Sequence, residues 1–178
     1  FLKELRLVFA FLFSFLSLSA HAEVVEIPAD HQGAYSFNTS DGESTYEFTN
    51  NANITTSDGE AGVSVTTREG QTISFINNQS IISDGLAFDF SRAVDSLSIT
   101  NIGTINSNDG SETLRAHIAN IINNGNWTDL SEDDFLFDNS VIKVTARQDG
   151  HESARVNIQN TGTIQGAQLG IYVLTEND

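Results

Sequence analysis

Two stretches decide the fold: Ile99-Thr100-Asn101-Ile102-Gly103-Thr104-Ile105 and Ile158-Gln159-Asn160-Thr161-Gly162-Thr163-Ile164. Each places apolar residues, an Asn, a Gly and another apolar residue at alternate positions. Alternation with a period of two is the signature of a strand with one buried face. The same frame recurs with smaller fidelity elsewhere. Tyr46, Phe48, Asn50, Ala52 and Ile54 follow it, as do Ile73, Phe75, Asn77, Gln79 and Ile81. Leu97 extends the Asn101 copy, and Ala119, Ile121, Asn123, Gly125 and Trp127 make a further one. Val156 completes the last. Composition alone predicts roughly 0.7 matches to Asn flanked by apolar residues at −4, −2 and +4, far below the number seen.

Successive asparagines lie 27, 24, 22 and 37 residues apart. Periods in the low twenties fit one coil of a β-solenoid. Between the motifs lie second candidate strands, at 61–67, 86–90, 113–118, 141–146 and 169–174. Asp-Gly pairs at 41–42, 58–59, 84–85, 109–110 and 149–150 supply the turns. The sequence therefore predicts an all-β, right-handed parallel β-helix over 46–178, with 23–45 as an N-terminal cap or first irregular coil. An antiparallel sandwich is the competing architecture. The longest interval predicts an insertion near 128–139, or a coil that lost its Asn.

The buried Asn has a physical reason. Coils stacked about 4.8 Å apart place equivalent residues over one another. Each amide can then donate to the next coil and accept from the previous one. Asn50, Asn77, Asn101, Asn123 and Asn160 are the expected ladder. Asn also tolerates a left-handed backbone at a bend, and Gly103, Gly125 and Gly162 are expected to supply a second such position. The competing role is a solvated Asn in a hairpin turn.

Residues 1–22 read as a cleavable signal peptide. Lys3 and Arg6 form a basic start, 7–18 is apolar apart from Ser14 and Ser17, and Ala20-His21-Ala22 offers a cleavage site before Glu23. The apolar run falls short of the ~20 residues of a membrane span, so a retained anchor is the lesser reading. The chain opens on Phe1 instead of Met, which suggests a fragment. Net charge is −16, from 8 Lys+Arg against 24 Asp+Glu, and there is no Cys. Such a field disfavours nucleic acid as a partner. Absence of Cys excludes disulfides and thiolate metal sites.

The repeat phrases 99–105 and 158–164, behind an export signal in an acidic Cys-free chain, resemble the passenger domain of Gram-negative autotransporters. The resemblance covers 46–174. It implies export, threading through an outer-membrane β-barrel at the protein's own C-terminus, and folding outside the cell as a parallel β-helix. No amphipathic barrel strands occur in this sequence, a departure from the family pattern. The implied role is an adhesin or display stalk at the cell surface, with a host-cell or glycan surface ligand.

Chemistry-bearing motifs are scarce. His151-Glu152-Ser153-Ala154-Arg155 begins like a zinc-protease motif but lacks its second His. His31 and His117 stand alone, and neither a nucleophile elbow nor a phosphate loop is found. No catalytic, cofactor or metal residue is therefore assigned. Asp129, Glu132, Asp133 and Asp134, with Asp138 nearby, form an acidic run that could hold calcium, although a solvated loop is the simpler reading. Trp127 and this run are the candidate binding loop, with core packing the alternative for Trp127. A β-helix polysaccharide lyase or hydrolase would need Arg68, Arg92, Arg115, Lys143, Arg147 or Arg155 to converge with carboxylates, which their spacing does not demand. A purely structural spacer is the remaining reading.

Overall fold

The computed structural model describes residues 21–39, 42–108, 112–130, 140–148, 153–166 and 169–177. Residues 1–20, where a signal peptide is expected, and the stretch 131–139, where an insertion is expected, lie outside the described residues. Every described element is a strand, and every strand pair is parallel. The chain winds through about five turns of a β-solenoid. This removes the antiparallel sandwich.

The turns build three faces. A partial first level holds β1 (Glu23–Ile27) and β2 (Tyr35–Asn38). The second level holds β3 (Thr45–Asn50), β4 (Ile54–Thr55) and β5 (Val63–Thr66). The third holds β6 (Thr72–Asn77), β7 (Ser80–Ser83) and β8 (Phe88–Phe90). In the fourth come β9 (Val94–Asn101), β10 (Thr104–Ser107) and the start of β11 (Glu112–Asn123). The rest of β11, β12 (Asn126–Asp129) and β13 (Ser140–Gln148) make the fifth. The sixth is β14 (Arg155–Asn160), β15 (Thr163–Gln165) and β16 (Leu169–Asn177). β1 and β2 thus form an in-register level, β1 against β3 and β2 against β5, without a second-face strand among the described residues.

β11 turns a corner. Its residues 112–116 pair with β13, whereas 118–123 lie between β9 and β14. One strand therefore serves two faces, joining the first-face strands and β13–β16 into a single eight-stranded sheet. Asn123 and Asn160 are register partners, so the long interval between them is one extended turn and no coil is missing.

Stacking in register creates columns of like residues. One column runs Val25, Phe48, Phe75, Ile99, Ile121 and Ile158, and another Ile54, Ile81, Ile105, Trp127 and Ile164. Most of these side chains are fully buried, each contributing ~1.5–3 kcal/mol by leaving water. Aromatic contacts thread the interior: Phe48 stacks on Phe75 at 6.2 Å, Phe75 meets Phe88 edge-on at 5.0 Å, and Phe88 meets Trp127 at 5.9 Å. In the fifth level the bulkiest inward residue, Trp127, shares its turn with the small Ala119. That complementarity conserves volume.

The asparagine ladder holds as expected. Asn50 Nδ2 donates to Asn77 Oδ1 at 2.8 Å, Asn77 to Asn101 at 2.9 Å, Asn101 to Asn123 at 2.8 Å and Asn123 to Asn160 at 2.8 Å. Asn50, Asn77, Asn101 and Asn123 are completely buried, and Asn160 is exposed at the last level. Each Asn ends a first-face strand, so the repeat motif is two strands on two faces.

The backbone reason expected for Asn and Gly is wrong. Among the described residues positive φ occurs at Gly33, Asp58, Gly59 and Gly70, and at none of the ladder asparagines or the glycines that follow them. Gly103, Gly125 and Gly162 are required by close approach instead. The N–H groups of Ile102 and Gly103 converge on the carbonyl of Asn77, at 2.9 and 3.2 Å, and the two later glycine turns repeat this on Asn101 and Asn123. A Cβ at Gly125 would overlap the carbonyl oxygen of Gly103, and one at Gly162 that of Gly125. At the Gln79 turn, only Asn78 donates to the previous Asn carbonyl, at 3.1 Å, so the backbone is not drawn in and a side chain fits.

A second, exposed tie joins three levels: Asp84 accepts from the Gly59 N–H at 3.0 Å and from Asn108 Nδ2 at 3.2 Å. The Gly59 N–H above all, then the Asn108 amide, hold the Asp84 carboxyl below its ordinary 3.8. This stabilisation is complete above pH 3.8 and is lost as pH falls through the lower folded value. Asp84→Asn should lower the melting temperature at neutral pH, and the gap to wild type should close in acid below pH 3.8, followed by circular dichroism.

Asn101→Ala strands the Asn77 donor and the Asn123 acceptor inside the core. It should cost about 3 kcal/mol in urea unfolding, whereas Asn160→Ala at the exposed end should cost less than about 1 kcal/mol.

Candidate functional site

The solenoid sorts the residues singled out by the sequence into interior and outside. The five ladder asparagines are structural. Trp127 is 0% exposed and belongs to the core, the second of the two roles open to it. Asp129 is 4% exposed and extends a buried polar column through its register partner Ser107 to Ser83. Neither Trp127 nor Asp129 therefore offers a surface for binding. Glu132, Asp133, Asp134 and Asp138, with His151 and Glu152, lie outside the described residues. Among the described residues no three His, Asp or Glu gather to hold a metal ion.

The convergence of basic residues that spacing left open does occur, at the corner where the third face passes into the first. Arg92, Arg115 and Arg147, from successive levels, line one groove of about 370 Å³ with Glu69, Ser91 and Ala93. Beside it, His117, Glu69, Ala93, Val94, Asp95 and Arg147 enclose about 20 Å³, space for roughly one water molecule.

Local structure fixes the backbone that carries each of these side chains. Arg92 follows β8, and its backbone is clamped to Thr67 by two bonds: Arg92 N–H donates to Thr67 Oγ1 at 2.9 Å, and that hydroxyl donates to the Arg92 carbonyl at 2.7 Å. Ser91 Oγ in turn accepts from the Thr67 N–H at 2.9 Å. Arg115 sits on β11 between the buried Leu114 and Ala116, so the pleat turns it outward. Arg147 lies on β13 one residue after the buried Ala146. The small side chain of Ala93 lines the groove, whereas Ala116 and Ala146 point into the core.

Arg147 Nη1 stands 3.7 Å from Glu69 Oε1, an ion pair reaching from the fifth level to the second. His117 donates its Nδ1–H to the Arg147 carbonyl at 3.0 Å, which leaves Nε2 as the acceptor in the neutral ring. Arg92 and Arg115 are exposed, and their guanidinium groups have no ion-pair or hydrogen-bond partner among the described residues. Three guanidinium groups against the two carboxylates of Glu69 and Asp95 leave a local positive excess on a chain of net charge −16. A planar donor fork suits carboxylate, sulfate or phosphate oxygens.

No family model, curated protein or solved structure matches this chain. The site is therefore read from its own chemistry. Sequence reasoning missed it because the three arginines share no motif. Their only common property is position at one corner, visible once the turns are threaded.

The Glu69–Arg147 pair is exposed on its acidic side, where Glu69 is 81% accessible. Glu69→Gln should change unfolding free energy by less than about 0.5 kcal/mol, measured by urea denaturation. A larger loss would mean that the corner depends on this pair for its fold.

Proposed function

We propose that the chain is an exported, cell-surface protein of the autotransporter-passenger type, acting as an adhesin or display element without catalysis. The observation that supports this best is the self-stacking solenoid, whose flanks carry polar rungs and a basic corner groove. Exposed rungs such as Asn51 with Asn78 at 2.9 Å, Asn53 with Ser80 at 2.7 Å, Asn120 with Asn157 at 2.8 Å and Asn124 with Thr161 at 2.7 Å keep the flanks hydrophilic. Such a body can form without disulfides, chaperoned cofactors or metals, from a chain that arrives unfolded. The basic start, apolar run and Ala20-His21-Ala22 site support export.

A second reading, a β-helix enzyme that cuts acidic polysaccharide, draws on the same groove, because it brings Arg92, Arg115, Arg147 and His117 beside the carboxylates of Glu69 and Asp95. It predicts release of oligosaccharides from polygalacturonate or another glycan. Simple retention of the glycan, with no new ends, favours the adhesin.

Expression of the complete reading frame in a Gram-negative host tests the main reading. The mature protein should begin at Glu23, label with antibody on intact cells and increase attachment of those cells to epithelial monolayers. An intact N-terminus on protein confined to the cytoplasm would remove the reading.

A further inference from the structure

We infer that the corner groove is a binding site for an acidic glycan, recognised through its carboxylate or sulfate groups. This deepens the adhesin reading, on which it rests for its biological role.

Three observations carry it. First, of the six basic residues after position 22, three converge here, and Arg92 and Arg115 lack partners among the described residues. Guanidinium groups lining one groove repel one another, and an anion bound between them would relieve that repulsion. Second, the groove crosses successive levels. Arg92, Arg115 and Arg147 occupy the third, fourth and fifth levels, which rise by about 4.8 Å each. Arg147 lies two residues beyond Thr145, the register partner of Arg115, so the line of cations is oblique. The rise of one level is close to the advance of one sugar in an extended, linked pyranose chain. A chain bearing an acid group on each unit or every second unit could therefore meet the arginines in turn. Third, acceptors for sugar hydroxyls stand beside the cations: His117 Nε2, left as an acceptor in the neutral ring, and the Glu69 carboxylate.

The charge of the whole chain narrows the ligand. At physiological ionic strength fields decay over about 8 Å, so the groove's local excess governs a ligand lying in it. A stiff, densely charged polymer extending past the groove would meet the acidic remainder of the surface. That contrast selects oligosaccharides with spaced charges and disfavours nucleic acid.

Isothermal titration of the mature protein would use four probes: a heparin hexasaccharide, hexagalacturonate, maltohexaose and inorganic sulfate. Saturable binding to the heparin fragment or hexagalacturonate is expected, with maltohexaose inert; which of the two binds tells sulfate ester from carboxylate. Arg92→Ser with Arg115→Ser should weaken it at least about tenfold while the melting temperature stays put. Arg155→Ser, which removes one positive charge outside the groove, should leave it unchanged. Inert acidic probes, binding of sulfate alone, or an equal loss in Arg155→Ser would overturn the site. If the acidic probes are inert and the cells still attach, this site fails while the adhesin reading survives. If the probes bind and the cells do not attach, the site stands and the adhesin reading fails.

Discussion

Everything in this molecule depends on register. A parallel solenoid has no hairpin to set the pairing of neighbouring strands, so some residue must mark the same place in every turn. The amide of Asn does this in one dimension. Its carbonyl accepts from one level and its NH2 group donates to the next, with 2.8–2.9 Å bonds from Asn50 to Asn160. A slip by one residue would bury unpaired amide groups and turn the apolar columns toward water. The same NH2 group also donates within its own turn, as from Asn77 to the Gln79 carbonyl at 2.9 Å, so the ladder fixes the corner as well as the pairing. All the amides point one way, which lets each bond polarise the next.

The ladder was legible because it requires the same residue at the same phase in each turn, and a period is visible in one dimension. The third-face strands were legible too, as apolar alternation between Asp-Gly turns. The second face was not: Ile54, Ile81, Ile105 and Ile164 continue the alternation of the preceding strand so smoothly that the corner at Asn disappears from the pattern. The glycines were noticed for the wrong reason. Gly103, Gly125 and Gly162 have ordinary φ values and are excluded from carrying a side chain by the carbonyl of the level before, a relation between turns that local sequence does not express.

The groove was illegible for a related cause. Arg92 lies in a connection after β8, Arg115 in the middle of the longest strand, and Arg147 near the end of another. Local context differs at all three. They become neighbours only because turns of unequal length return to a common corner. Once there, the average charge of the chain is a poor guide to the field a ligand meets, since positive groups are concentrated where Glu69 is already engaged by Arg147.

In-register stacking also makes the turn a removable unit. The stretch from one ladder Asn to the next, 22 residues between Asn101 and Asn123, brings its own contribution to every face and leaves matching ends behind. Replication slippage over such a stretch would lengthen or shorten the rod by a whole step without disturbing its neighbours. Evolution can thus treat this architecture as a ruler, editing reach independently of surface chemistry.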